Sequence, residues 1–166
     1  MLSKLKTELR GLGASNLIIG GLLFLFIALL VRLACASPYI VYRTLGISAF
    51  SPPVWVMGLS WSVFFFICGA SFFGALAMRI ESIYKYKGGM FLVISISSGL
   101  AWYPVFFNMK LIFAALLIAF VTTVFAFACA AAYSKISRFL GALMTLCGFW
   151  LIYSTILNLM CIFVHR

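Results

Sequence analysis

Five apolar stretches, each long enough to cross a lipid bilayer, dominate the chain and decide what it can fold into. They cover residues 17–36, 54–78, 90–107, 111–133 and 139–164. A bilayer core about 30 Å thick is crossed by a helix of about 20 apolar residues. The connectors are short, so no stretch of the chain remains for a separate water-soluble domain. We therefore predict an all-α membrane protein, in which residues 1–166 form one bundle of five transmembrane helices.

The charged residues agree with this prediction, since they lie next to the apolar stretches. A net charge of +10 is also typical of proteins that bind nucleic acid, but here the basic residues follow the membrane boundaries. Eight of them precede the first span or follow the second and fourth, namely Lys4, Lys6, Arg10, Arg79, Lys85, Lys87, Lys135 and Arg138. The positive-inside bias then places the N-terminus in the cytoplasm and the C-terminus outside. We expect contacts with anionic membrane lipids and none with nucleic acid.

The first apolar stretch also has features of a secretory signal peptide. A basic segment precedes it, and the small residues "ACAS" at 34–37 resemble a cleavage site. Arg32 interrupts the apolar core just before that site, and the stretch is long enough to span. We therefore expect an uncleaved helix, in a bacterial cytoplasmic membrane or, for a eukaryotic protein, in the mitochondrial outer membrane.

The predicted spans lack the side chains that acid–base or metal chemistry uses. They contain no Asp, Glu, Lys or His, and the five cysteines stand singly, without paired spacing. Arg32 is the ionised residue nearest a span interior, where it either reaches the lipid headgroups or meets an acidic group of a ligand. His165, near the chain end, gives little support for a ligated haem iron. We predict no metal, no cofactor and no catalytic residue, and expect recognition of a large, flat or apolar molecule.

Tryptophans share helix faces with small residues in three of the spans. The faces combine Trp61 with Gly58 and Ser62, Trp102 with Ser98 and Phe106, and Trp150 with Ser154 and Leu157. Tryptophans that anchor a helix belong at the headgroup level. Trp55 fits that level, whereas Trp61 and Trp102 lie about 8 to 12 Å deeper and Trp150 lies nearer mid-membrane. The three deeper indoles are candidates for a ligand-binding wall, and close packing between helices is the alternative.

Pro104 and Asn158 each lead to a prediction about the structure. Pro104 lacks a backbone donor and should loosen the third helix about one turn upstream, near Leu100. Asn158 carries an amide whose burial without a partner costs about 2 to 7 kcal/mol. We therefore expect Asn158 to face the bundle and form an interhelical hydrogen bond, with ligand contact as the alternative.

Three motifs in chain order resemble one family. They are "YRTLGISAFSPPVWVMGLSW" from Tyr42 to Trp61, "LAWYPVFF" around Trp102, and "WLIYSTILN" from Trp150 to Asn158. Together with the five spans, they resemble the TspO/MBR family, the tryptophan-rich sensory proteins that include the mitochondrial translocator protein, or peripheral benzodiazepine receptor. The resemblance covers essentially the whole chain.

The resemblance implies a five-helix bundle, commonly a homodimer, whose ligand pocket opens toward the first loop. Family members bind porphyrins, and some bind cholesterol and synthetic benzodiazepine-site drugs. By position, ligand contacts are implied for Tyr42, Phe50, Trp61, Trp102, Phe106, Trp150, Ser154 and Leu157, and structural roles for Pro52, Pro53, Pro104 and Asn158. Tyr42 and Phe50 would belong to a lid, where Arg32 or Arg43 would meet the propionates of a porphyrin.

The chain departs from the family pattern at positions that bear on porphyrin affinity more than on the fold. Ile47 and Ser48 stand where Lys-Pro is frequent, Leu59 where proline is frequent, Gly99 in place of an asparagine, and Leu146 with Cys147 in place of Pro-Tyr. Three functions stay open. We expect a receptor or carrier for a porphyrin, haem-like tetrapyrrole or similar flat apolar ligand such as a sterol. The alternatives are an enzyme that degrades a bound porphyrin oxidatively with Trp61 and Trp150 as redox partners, and a non-catalytic protein that modulates lipids or partners.

Overall fold

Five helices follow one another in the computed structural model, which describes residues 13–37 and 52–164. They are α1 (Ala14–Leu33), α2 (Val54–Ala77), α3 (Ile83–Tyr103), α4 (Ile112–Tyr133) and α5 (Arg138–Val164), and a π-helical segment, Pro104–Asn108, follows α3. All five are long and apolar enough to cross a membrane, which confirms the predicted fold class. The predicted site residues Tyr42, Arg43 and Phe50, and the departures Ile47 and Ser48, lie outside the described residues.

Two helices differ from their predicted spans by three residues or more. α1 runs from Ala14 to Leu33 and not over residues 17–36. α3 begins at Ile83 and not at residue 90, because the Oγ of Ser82 accepts the N–H of Tyr84 at 3.3 Å. Lys85 therefore lies in the first turn of α3, and its Nζ donates to the carbonyl of Met78 at 2.8 Å. The prediction that residues 79–89 form a connector was therefore wrong for residues 83–89, which belong to α3. Lys85 does not interrupt α3, because its ammonium group reaches carbonyls at the end of α2.

Pro104 changes the helix geometry at and after itself. α3 is α-helical through Tyr103, and the wider π-helical turn follows, in which the N–H of Met109 donates to the carbonyl of Pro104 at 3.0 Å. The loosened turn therefore lies at and beyond the proline, and the prediction that it would lie near Leu100 was wrong. The turn leaves Phe106 and Phe107 both buried in the bundle.

α1 and α2 pack closely at two glycines. A Cβ built on Gly20 would lie 2.5 Å from the carbonyl oxygen of Gly69, and one built on Gly69 would meet the backbone of Gly20. Small residues permit such backbone contact between helices in a membrane. The two helices run antiparallel, because Gly20 meets Gly69 whereas Gly21, one residue on, meets the ring of Phe66. This packing brings the C-terminal end of α1 to the N-terminal half of α2.

Buried hydrogen bonds between side chains and carbonyls or hydroxyls fix the positions of α3, α4 and α5 along their axes relative to one another. The Oγ of Ser95 in α3 donates to the carbonyl of Thr122 in α4 at 3.0 Å. The hydroxyls of Thr123 in α4 and Thr155 in α5 lie 3.2 Å apart. Side-chain hydrogen bonds of this kind link neighbouring helices in membrane bundles. They therefore hold α3, α4 and α5 in one register, which sets the depth of the tryptophans on α3 and α5.

Candidate ligand site

Aromatic rings from α2, α3 and α5 meet in the bundle interior. The rings of Trp61 and Trp102 stack with centroids 5.3 Å apart and an interplanar angle of 19°. The ring of Phe106 continues the stack, 4.7 Å from that of Trp102. We call the rings of Trp61, Trp102 and Phe106 the aromatic stack. Trp150 of α5 closes one side, with its ring at 84° to that of Trp61 and 6.5 Å away. The three deep tryptophans predicted as a ligand wall therefore lie together.

Asn158 positions the middle ring of the aromatic stack. The Nε1–H of Trp102 donates to the Oδ1 of Asn158 at 3.3 Å, and the Nδ2 of Asn158 donates to the carbonyl of Ser154 at 2.8 Å. The predicted interhelical hydrogen bond of Asn158 is confirmed, and its partner is Trp102. Since Asn158 is held by its own helix, α5 fixes the orientation of an indole that α3 supplies. This pairing could not be predicted from the sequence, because the two residues are distant in the chain.

Trp61 of the aromatic stack and two residues of α5, Trp150 and Ser154, each carry a buried polar atom without a hydrogen-bond partner in the described part of the chain. Four buried side-chain atoms in the described part of the chain have none, namely Nε1 of Trp61, Oγ of Ser71, Nε1 of Trp150 and Oγ of Ser154. Three of these belong to residues predicted to contact a ligand. A buried donor without a partner costs about 1 to 3 kcal/mol, and such atoms are rare in native proteins. Trp61 and Trp150 therefore each carry a buried N–H donor, and Ser154 a buried hydroxyl, with no hydrogen-bond partner among the described residues.

A cavity of about 190 Å³ lies beside the aromatic stack, between α1, α2 and α3. We call it the Arg32 cavity. Its walls include Leu29, Arg32, Trp61, Phe65, Trp102 and Phe107. Two of the predicted ligand residues, Trp61 and Trp102, line it. Phe106, Ser154 and Leu157 are buried in the core and do not border this cavity.

Arg32 supplies the charge in this cavity. Its Nη1 donates to the carbonyls of Cys35 at 3.4 Å and Ala36 at 3.3 Å, just past the end of α1. Its guanidinium carbon lies 5.2 Å from the ring centroid of Phe107. Among the described residues the single carboxylate is Glu81, between α2 and α3 at the other end of the bundle, and Arg32 forms no ion pair there. The partners of the guanidinium in this part of the chain are thus neutral.

Trp150 borders a different space. A groove of about 480 Å³ runs between α2 and α5, and it is lined by Leu59, Leu146, Cys147, Phe149 and Trp150 among others. The departures Leu59, Leu146 and Cys147 therefore share one surface. The ring of Trp150 lies between this groove and the aromatic stack, since it also contacts Trp61. The predicted ligand residues thus face two separate spaces in this structure.

The structure also adds cavity residues that the sequence reading missed. Phe65, Tyr103 and Phe107 line the Arg32 cavity, and α1 contributes Leu25, Ala28 and Leu29. The spacing of four residues from Trp61 to Phe65 and from Tyr103 to Phe107 is helical and gave a usable signal. The contribution of α1 gave none, because its apolar residues look the same whether they face lipid or a cavity.

Comparison with known proteins gives one result. A model of the TspO/MBR family matches residues 16–163, nearly the whole chain. A comparison with curated protein sequences found no match. The matched range contains all three deep tryptophans and the five helices, and it confirms the resemblance inferred from the motifs.

Proposed function

Because this chain belongs to the TspO/MBR family, we propose that it is a membrane receptor or carrier for a flat, largely apolar small molecule. The ligand classes are tetrapyrroles and, as the alternative, sterols, bound at the aromatic stack without a chemical reaction. The observation that carries the proposal is the set of unpaired polar atoms on Trp61, Trp150 and Ser154 around a cluster of stacked rings. Aromatic faces bind flat rings without formal charge.

Ligand size requires the site to open. Pockets that hold drug-sized molecules measure about 300 to 1,000 Å³, so a cavity of about 190 Å³ takes only part of a tetrapyrrole. The contact between Trp61 and Trp102 is the part that yields in our proposal. A ring inserted between two others needs about 7 Å, since stacked carbon atoms prefer about 3.5 Å. Separating the rings loses their contact and would open the buried N–H of Trp61, which has no hydrogen-bond partner among the described residues, to an acceptor on the ligand.

The arrangement in the membrane follows from the basic residues. Arg79, Lys85 and Lys87 lie between α2 and α3 or at the start of α3, and Lys135 and Arg138 lie between α4 and α5 or at the start of α5. These positions fall at the same end of the antiparallel bundle. By the positive-inside bias we place this end in the cytoplasm or its equivalent, with the N-terminus on that side. Association as a homodimer stays a prediction from the resemblance.

The test is a titration of the purified protein with protoporphyrin, followed by tryptophan fluorescence. We expect saturable quenching, and a loss of affinity of about twofold to twelvefold for Trp61→Phe and Trp150→Phe, since an aromatic pair contributes about 0.5 to 1.5 kcal/mol beyond its buried area. Trp55→Phe is the matched control, because Trp55 is 71% exposed and lies outside the aromatic cluster. A sterol is tested by its ability to displace the porphyrin.

Two results would overturn the proposal. One is quenching that does not saturate, with no sterol binding in a direct assay. The other is an equal effect of Trp55→Phe and Trp61→Phe, which would mean that the porphyrin dissolves in the surrounding lipid or detergent. A porphyrin spectrum that changes irreversibly, with more than one turnover per protein, would favour the enzymatic alternative.

A further inference from the structure

The groove between α2 and α5 lies at a depth where the bundle is surrounded by lipid. Its lining comes from residues 59–67 of α2 and residues 146–153 of α5, the latter in the middle of their helix. At 1.5 Å per residue, the lining on α2 lies about 8 to 20 Å from the start of that helix, within the hydrocarbon of a bilayer. Leu59, Val63 and Leu146 in this lining are exposed on the outer surface of the bundle. We call this space the α2–α5 groove.

The α2–α5 groove has room for the ligand class of the proposed function. Its volume of about 480 Å³ falls within the range of about 300 to 1,000 Å³ of pockets that hold drug-sized molecules, and the Arg32 cavity is smaller. Cys147 contributes to this room, since a thiol stands where the larger tyrosine is frequent in the family pattern. A flat apolar molecule concentrates in hydrocarbon, because its surface is unfavourable in water. It therefore meets this groove directly from the membrane.

One layer of rings separates the α2–α5 groove from the aromatic stack. Phe64 and Trp150 line the groove. Both contact Trp61 edge to face, with ring centroids 5.5 Å away for Phe64 and 6.5 Å away for Trp150. Phe64 is fully buried, whereas Trp150 is only partly buried. Trp150 is therefore the part of this wall with free space on its outer side.

The indole of Trp150 can turn toward the groove without breaking a hydrogen bond. Its Nε1 has no hydrogen-bond partner among the described residues, whereas the Nε1 of Trp102 is held by Asn158. Turning Trp150 costs its ring contacts with Trp61 and Tyr153. The groove supplies the room for the turned ring, so the helices need not separate.

We propose that the α2–α5 groove is an entry site for the flat apolar ligand, which passes from the membrane into this groove and then past Trp150 to the aromatic stack. The inference rests on the proposed function and adds the route by which the ligand arrives. The family resemblance implies a different route, through a pocket that opens toward the first loop. The two routes differ in the residues that an arriving ligand passes.

The experiment measures binding rates in a variant that fills the groove. Val63→Phe adds a ring to the lining, at a position that is 48% exposed. Protoporphyrin is mixed with the full chain in nanodiscs, and tryptophan quenching is followed by stopped flow; dissociation is followed by transfer to an excess of empty nanodiscs. We expect both rate constants to fall by about tenfold, since the ligand must push the added ring aside in each direction. The Kd should stay within about twofold, because the bound state at the aromatic stack is unchanged.

Val124→Phe is the matched control. Val124 is 47% exposed, lies on α4 and borders neither the Arg32 cavity nor the α2–α5 groove. It should leave both rate constants unchanged. Leu59→Phe and Leu117→Phe form a second pair, since both leucines are exposed and only Leu59 lines the groove. This pair decides the question if Val63→Phe does not fold.

The outcomes separate the entry route from the proposed function. Saturable quenching with equal rates in Val63→Phe and the unmodified protein overturns the route and leaves the proposed function standing. Equal slowing in Val63→Phe and Val124→Phe also overturns the route, because it assigns the effect to added bulk on the lipid-facing surface. A weaker Kd with an unchanged association rate overturns it too, since it places Val63 at the bound ligand. Absence of saturable quenching in the unmodified protein overturns the proposed function and the entry route together.

Discussion

The glycine contact between α1 and α2 makes a quantitative prediction about stability. In Gly69→Ala, the added Cβ would lie 2.7 Å from the Cβ of Phe24 and against the backbone of Gly20. Carbon atoms in contact prefer about 3.5 to 4.0 Å, so α1 would have to retreat by roughly 1 Å. In Gly58→Ala, on the same helix, the added Cβ meets nothing within 4 Å.

The two substitutions share their chemistry, so their difference isolates the packing term. Replacing glycine by alanine in a helix favours folding by about 1 kcal/mol in both, and this term cancels in the comparison. Overpacking costs about 1 to 3 kcal/mol. Gly69→Ala should therefore be less stable than Gly58→Ala by that amount. For a chain of this size, about 2 to 4 °C per kcal/mol converts the difference to between about 2 and 12 °C.

The assay is thermal unfolding of both variants in one detergent, monitored by circular dichroism and by loss of the monodisperse peak. Gly58→Ala should unfold at or slightly above the temperature of the unmodified protein. Equal unfolding temperatures for the two variants would refute the reasoning, because they would mean that α1 does not contact α2 at Gly69.

Two further predictions concern a buried hydrogen bond and a thiol. Asn158→Leu should destabilise the bundle by about 1 to 3 kcal/mol, because it leaves the Nε1 of Trp102 without its partner. A double-mutant cycle of Asn158→Leu with Trp102→Phe should give a coupling energy of about 0.6 to 1.7 kcal/mol. A coupling energy of zero would contradict the hydrogen bond between the two side chains. A maleimide should label only Cys35 in the folded protein, since the other four cysteines are buried. Burial raises the pKa of the Cys35 thiol, and the guanidinium of Arg32 partly lowers it. Labelling of Cys35 should therefore speed up as the pH rises from 7 to 8 and slow down in Arg32→Gln. Fast labelling of a second cysteine in the folded protein would contradict the burial of the other four thiols.

The fold was open to prediction because the bilayer imposes a strong constraint on sequence. A helix that crosses hydrocarbon must form its backbone hydrogen bonds internally and be apolar over about 20 residues. This requirement can be recognised in each segment of the sequence without knowing which helices pack against it. The start of α2 after Pro52 and Pro53 was found correctly, since a proline pair cannot continue a helix from before and the carbonyl of Pro53 accepts the first helical N–H groups. The start of α3 was missed because residues 79–89, which include Lys85 and Lys87, were predicted to be a connector, whereas the side chain of Lys85 reaches carbonyls of the preceding helix from within α3.

The candidate site was predictable only in part. Helical spacing and depth selected Trp61, Trp102 and Trp150, since each helix has one period and the membrane has a known thickness. Which rings touch, and which face an open space, depends on the rotation of α2, α3 and α5 about their axes. The bond between Trp102 and Asn158 and the separation of Trp150 from the Arg32 cavity are consequences of that rotation.

The sequence by itself determined the number of spans, their approximate limits, the family and the identity of the deep tryptophans, because each of these depends on local composition and spacing. The tertiary structure decided that Trp61 and Trp102 stack with a small cavity beside them, that the buried N–H of Trp61 stays unpaired among the described residues, and that Arg32 reaches the same cavity without a carboxylate in the described residues. Such facts arise from contacts between residues that are far apart in the chain. A helix in hydrocarbon is apolar on every face, so its sequence does not show which face meets another helix, which meets lipid and which meets a ligand.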